Sequence, residues 1–171
     1  IGVRLVGSEM CIRDREDFAF ANLFEFDENQ RIKKDGGMME FTLDREKKTV
    51  TLKLRSKDYK WSDGQPLTID DYIFTYEFIG RKDYDGVRYD ENAENVVGME
   101  EFHAGKADKI SGLEKVDDQT VVIHLKEVYP ALEKGGNAIM GSILPKHVFK
   151  DMTYEQAVTS DAARTKVVGN G

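Results

Sequence analysis

The stretch Lys60–Ile79, KWSDGQPLTIDDYIFTYEFI, carries the reading of the fold. Ser62-Asp63-Gly64 is a turn signal, because Ser and Asp bond to nearby backbone and Gly accepts positive φ. Pro66 keeps the residue before it out of the helical region. Thr68 is then a suitable N-cap, and Asp71, at the third helical position, can return the bond as a variant capping box. Asp70 and Asp71 both lie near the positive end of the helix dipole. Ile69, Tyr72, Ile73, Tyr76 and Ile79 follow at spacings of three and four, which predicts one apolar face on a helix ending near Gly80. Trp61 leaves a strand just before the turn, where a large ring plugs a sheet corner; its alternative role is a ligand platform. The stretch therefore reads as a folding unit of strand, turn and capped helix.

Upstream, Met39–Arg55 alternates. Phe41 and Leu43 share one face, and Val50, Leu52 and Leu54 do the same, with Asp44–Lys48 as the polar connection, so a β-hairpin with one wet face is expected. Downstream, Gly80–Gly98 is polar and reads as a long surface excursion, of the kind over-represented at binding sites. Met99–Lys106 predicts a short helix stopped at Gly105. Ser111–Glu127 predicts a second hairpin, Leu113–Val116 pairing with Thr120–Leu125. Val121, Ile123 and Leu125 take one face, and Val122 and His124 the other. Pro130 can start a helix ending at Gly135-Gly136. Ile143–Met152 suggests a strand end and a short helix from Pro145, and Thr153 with Gln156 suggests a capping box for a last helix near Thr153–Ser160. The order implies an α/β fold of α+β character, with antiparallel hairpins covered by the Ile69–Ile79 helix.

The chain has 171 residues, enough for one domain with a core, and 25 Lys+Arg against 32 Asp+Glu give a formal charge of −7. The cations are interleaved with anions, so the electrostatic footprint of a nucleic-acid binder is missing. No apolar run approaches membrane-spanning length, and Ile1–Val6 is too short and too charged for a secretory signal. Cys11 has no cysteine partner, and the spacing of His103, His124 and His147 fits no metal motif, so neither a disulfide, a metal site nor a cofactor is expected. Ile1–Arg15, IGVRLVGSEMCIRDR, lacks helix or strand periodicity and resembles translated sequencing-adaptor read-through. The rival reading makes Cys11 a lipoprotein cysteine, but Ser8-Glu9-Met10 is a poor lipobox. Thr165–Gly171 ends on Gly-Asn-Gly after a strand-like segment, which reads as an internal stop in something longer.

Catalysis is weakly supported. Ser62-Asp63 lie side by side in a turn with no histidine tied to them by sequence, and helix-start chemistry explains Asp70-Asp71. Nothing resembling a phosphate-cradling glycine loop follows a strand.

Thr49–Ile79 resembles the signature of the extracellular solute-binding proteins of family 5, the peptide receptors of ABC importers. The pattern is an alternating strand followed by Trp-Ser-Asp-Gly-x-Pro-hydrophobic-Thr-x-x-Asp and an aromatic helix. It is filled here by Trp61, Ser62, Asp63, Gly64, Pro66, Leu67, Thr68 and Asp71. The similarity runs from about Asn22 to Gly171. It implies part of the first lobe of a two-lobed clamp of the type II periplasmic-binding-protein-like fold. Residues 16–160 would form mainly the small subdomain, 161–171 the start of the return into the main part of that lobe, and 1–15 a non-native leader. It also implies a receptor without enzymatic activity, an oligopeptide ligand and an ABC permease as partner, this chain being a half-clamp expected to hold a ligand weakly at best on its own. The receptor would sit at the outer face of the cell membrane through a lipid anchor, or in the periplasm. In the family the signature is structural, and the loop after the aromatic helix lies nearer the cleft. Arg88 and Tyr89 are thereby the leading candidates for peptide contact, with Glu25 of Leu23–Glu25 behind them. Alternatives are a receptor for a nickel chelate, haem or a sugar; a hydrolase using Asp63, Asp70 and a histidine; and a surface interaction domain.

Overall fold

The computed structural model describes residues 23–34, 36–86, 88–133 and 143–160. Both hairpins form where alternation predicts them. Strand β1, Met39–Asp44, pairs antiparallel with β2, Thr49–Leu54. The Asp44 side chain accepts from the backbone N–H groups of Glu46 and Lys47 (3.1 and 3.0 Å) and so closes the turn. Strand β3, Leu113–Lys115, pairs antiparallel with β4, Thr120–His124.

The hairpins then join. β2 pairs antiparallel with β4, giving one four-stranded sheet in the order β1-β2-β4-β3. The register stacks apolar rows across it: Phe41 opposite Leu52, Leu52 opposite Val121; Leu43 opposite Val50, Val50 opposite Ile123, Ile123 opposite Leu113. Val50, Leu52, Val121 and Ile123 are fully buried, while Glu40, Thr42 and Lys53 stay exposed on the wet face. Each such buried side chain contributes roughly 1.5–3 kcal/mol as an upper estimate.

Helix α1, Ile69–Gly80, begins at Thr68, whose N–H donates to the Asp71 carboxylate (3.0 Å). Its first turn is tied to the β3–β4 hairpin, because Ile69 N–H donates to Asp118 C=O (3.0 Å) and Lys115 Nζ bridges Asp70 and Asp118 (2.9 and 3.0 Å). The expectation of a single apolar face needs correction. Ile69, Tyr72, Tyr76 and Ile79 are buried as read, but Phe74 and Phe78 are buried too and Ile73 is only half-buried. A second layer explains this. Helix α4, Lys146–Phe149, and helix α5, Tyr154–Thr159, bring Phe149 and Tyr154 within 6.4 and 6.2 Å of the Phe78 ring. Arg81 lies over Phe74 and Phe78 (5.5 and 5.2 Å to the ring centres) and donates to Met152 C=O (2.6 Å).

The segment after α1 is docked rather than a free excursion. It holds the short helix α2, Glu91–Glu94, capped by Asp90, and then the buried Asn95 and Val96. The Asn95 side chain exchanges bonds with the backbone of Glu127 (3.0 and 2.9 Å), and Val96 bridges Leu125. Satisfying a buried amide this way removes the penalty that would keep the segment in water. Helix α3, Met99–His103, follows, with Gly105 at φ 74° just past its end.

At Pro130 the helix forms as a 3₁₀ turn, Pro130–Glu133; its expected stop at Gly135-Gly136 lies outside the described residues. The short helix expected from Pro145 is α4, but Ile143–Pro145 carries no strand. The last cap forms as read, Thr153 Oγ1 accepting from Gln156 N–H (3.2 Å) and Gln156 Oε1 from Thr153 N–H (3.0 Å). Cys11, the 1–15 leader and the 161–171 tail all lie outside the described residues, as does the rest of 1–22.

Candidate functional site

The Trp61 corner is built around one carboxylate. Trp61 is 2% exposed, and its Nε1–H donates to Asp71 Oδ2 (3.2 Å). The same oxygen accepts from Thr68 N–H, while Oδ1 accepts from Lys146 N–H (2.9 Å) at the start of α4. The preceding turn closes by Trp61 N–H to Gln65 C=O (2.8 Å) and Gly64 N–H to Trp61 C=O (2.9 Å), with Gly64 at φ 85°. Trp61, Gly64, Thr68 and Asp71 thus hold architecture. Ser62, Asp63 and Pro66 form the exposed rim of the turn.

One contact there bears on the hydrolase alternative. His147 Nε2 stands 2.6 Å from Asp63 Oδ2, and the bond holds the Asp63 carboxyl below its ordinary 3.8. The imidazole also meets the Trp61 ring edge-on at 6.4 Å. A histidine and a carboxylate therefore do meet, but Asp70, the third member of that reading, is engaged by Lys115. The Asp63–His147 pair links the signature turn to α4, as a clip between two segments distant in sequence.

The proposed ligand contacts lie elsewhere. Tyr89 directly precedes Asp90, the cap of α2, whose Oδ1 accepts from Asn92 and Ala93 N–H (2.9 and 3.1 Å). The Tyr89 ring is half-buried and stacks on His103 at 3.9 Å and 20°. Burial first, and then the carboxylates of Glu94 and Glu100, push its phenol up to about 12. The phenol is neutral near neutral pH, as an ordinary tyrosine also is, and its hydroxyl is shared with the Glu94 carboxylate. Tyr129, half-buried, donates its hydroxyl to Asn92 Oδ1 on α2, and burial followed by the Asp90 charge pushes its phenol up as well. Arg88, beside Tyr89, is half-buried. Glu25 is exposed, pairs with Lys33 (3.8 Å), and its C=O accepts from Lys33 N–H (2.8 Å). The neighbours of Glu25 come from the segment before β1, those of Tyr89 from α2 and α3. Arg88 and Tyr89 share one segment, and Glu25 belongs to another. Reading by spacing gave no sign of the stack between Tyr89 and His103, which lie fourteen positions apart. Among the described residues no group of three or more His, Cys, Asp or Glu could hold a metal ion, and no helix is long and apolar enough to cross a membrane.

Comparison with known proteins decides the family. The model of the bacterial extracellular solute-binding proteins, family 5, middle region, matches residues 38–171. The chain belongs to this family. Among curated family 5 relatives, the oligopeptide-binding protein OppA of Lactococcus lactis subsp. cremoris is 36% identical over 140 residues, covering 80% of this chain and 23% of OppA. The chain therefore spans about a quarter of the length of that relative. Among solved structures, lactococcal OppA, complexed with an endogenous peptide in the closed conformation, superposes with a TM-score of 0.81 at 34% identity, over 88% of this chain and 28% of that one. NikZ from Campylobacter jejuni, in complex with Ni(L-His), gives 0.63 at 22% identity over 90% of this chain and 26% of that one, a likeness of fold alone. The mixed α/β architecture with its antiparallel sheet is that of the family 5 receptors.

Proposed function

We propose that this chain is part of the substrate-binding component of an ABC importer, and that it captures oligopeptides. The observation that carries the reading is the 0.81 superposition on a peptide-complexed OppA at 34% identity. Residues 16–160 would be mainly the small subdomain of the first lobe, and 161–171 the return into its main part. The receptor would work outside the cytoplasmic membrane, held there by a lipid anchor and delivering to a cognate permease. It performs no chemistry on its ligand.

Within this chain Tyr89 and Arg88 would meet the peptide, the ring by packing and the guanidinium through peptide carbonyls or an acidic side chain, with Glu25 contributing from the other segment. Extended peptides suit recognition through main-chain bonds, with side chains left in wet pockets, which permits broad specificity. One lobe covers one side of a ligand, so affinity is low. The test is titration of the chain with the nonapeptide RPPGFSPFR and, in parallel, with a nickel–histidine chelate, each followed by amide chemical shifts. Saturable shifts with the peptide alone support the reading. Saturation by the chelate alone would move the assignment to the nickel-receptor alternative.

A further inference from the structure

We infer that His103 is the positioning residue of the peptide site: it holds the Tyr89 ring in the pose that meets the ligand. The inference rests on the reading of Tyr89 as a ligand contact. His103 is the last residue of α3, and its Nδ1 stands 3.1 Å from Gly80 C=O at the end of α1. A carbonyl only accepts, so Nδ1 carries the proton and donates, which fixes both the tautomer and the plane of the ring. Gly80 gives the approach room. A Cβ there would lie 2.7 Å from Met99 Sδ and 3.0 Å from the Phe102 ring, so any larger residue would have to push these two side chains of α3 aside. The imidazole is thereby anchored to the backbone of the best-buried helix.

Tyr89 lies flat on that anchored ring, at 3.9 Å and 20°. One of its faces is covered, and the carboxylates of Glu94 and Glu100 stand near its phenol. Among its described residues the segment that carries Tyr89 has no helix or strand until α2 begins at Glu91, so no backbone ladder there sets the ring. The stack on His103, beside the hydrogen bond of the phenol to Glu94, supplies what the loop lacks. Pre-setting a side chain removes ordering cost at the moment of binding. Loss of an aromatic partner corresponds to a weakening of about two- to tenfold.

The experiment titrates the full 171-residue chain with RPPGFSPFR, reading amide and aromatic chemical shifts. The proteins are wild type, Tyr89→Ala, His103→Ala, His103→Phe, His103→Gln and the double variant Tyr89→Ala/His103→Ala. Tyr89→Ala is expected to weaken binding, and His103→Ala to weaken it by about two- to tenfold. His103→Phe restores a flat ring and is expected to recover most of the affinity, together with the upfield displacement of the Tyr89 ring protons. His103→Gln keeps a donor for Gly80 but no ring; it replaces His103→Ala if that variant unfolds, and it is expected to bind as weakly. In the double variant the His103 effect should vanish. If Tyr89→Ala weakens binding while His103→Ala and His103→Gln do not, the ligand site stands and the positioning role falls. A His103 effect that persists undiminished without Tyr89 also overturns that role. Unchanged affinity in Tyr89→Ala overturns the assignment of Tyr89, and the inference with it. No shift in the wild type up to millimolar peptide contradicts both.

Discussion

Asp71 is the residue on which the signature turns. A carboxylate taken 95% out of water needs donors, and it finds Trp61 Nε1–H, Thr68 N–H and Lys146 N–H. Removing it strands those donors, so Asp71→Ala is expected to destabilise the fold by about 2–4 kcal/mol, seen as a lower urea midpoint. Trp61→Phe deletes one donor and part of a buried ring, and should cost less. Asp63 is the exposed counterpart. Its carboxyl sits below the ordinary 3.8 because of the His147 bond, so the folded state favours its charged form. That contribution is present above the unfolded value and is lost as pH falls through the lower folded one. Asp63→Asn should therefore be less stable than wild type at neutral pH, with the gap closing as pH falls below 3.8, measured as melting temperature against pH. The turn is half open to solvent, so the gap is small and shrinks with added salt.

Among the elements, α1 shows what local periodicity conveys and what it leaves out. Spacing alone gave the face of Ile69, Tyr72, Tyr76 and Ile79, and also Ile73. Phe74 and Phe78 belong to a second face that exists only because α4 and α5 return to cover it from seventy residues away. Burial, rather than pattern, sets the energetic order. Phe78→Ala is expected to cost about 3–5 kcal/mol, close to the value for a fully packed aromatic, whereas half-buried Ile73→Ala should cost clearly less. Equilibrium denaturation of the two variants measures the difference. A result in which Ile73→Ala is the more damaging would mean that α4 and α5 do not pack on this helix.

For the whole molecule, local chemistry was legible and long-range assembly was not. Alternation placed both hairpins, and capping residues placed α1 and α5 to within a residue, because turn and cap bonds are made between near neighbours. Nothing local says that β2 and β4 pair; the matched apolar rows of Val50 with Ile123 and Leu52 with Val121 become visible only once the register is known. Polarity made Gly80–Gly98 look like open surface, since among its described residues beyond the helix end the buried positions are Ala93, Asn95 and Val96, and one of them is polar. The candidate site was legible through the resemblance alone: Arg88 and Tyr89 carry no periodic signal, and the Tyr89–His103 stack joins residues that no spacing rule links. The signature that marks the family builds architecture here, while the proposed contacts lie in the less regular loop.

The central claim is that peptide is met at the Tyr89 loop while the Trp61 corner only builds the frame. Backbone chemical-shift mapping of the chain with RPPGFSPFR tests it most directly. The account predicts saturable shifts centred on Arg88, Tyr89 and Glu25, with Trp61 and its indole N–H unmoved. Shifts centred on Trp61, Asp63 and His147, with Tyr89 silent, would contradict it.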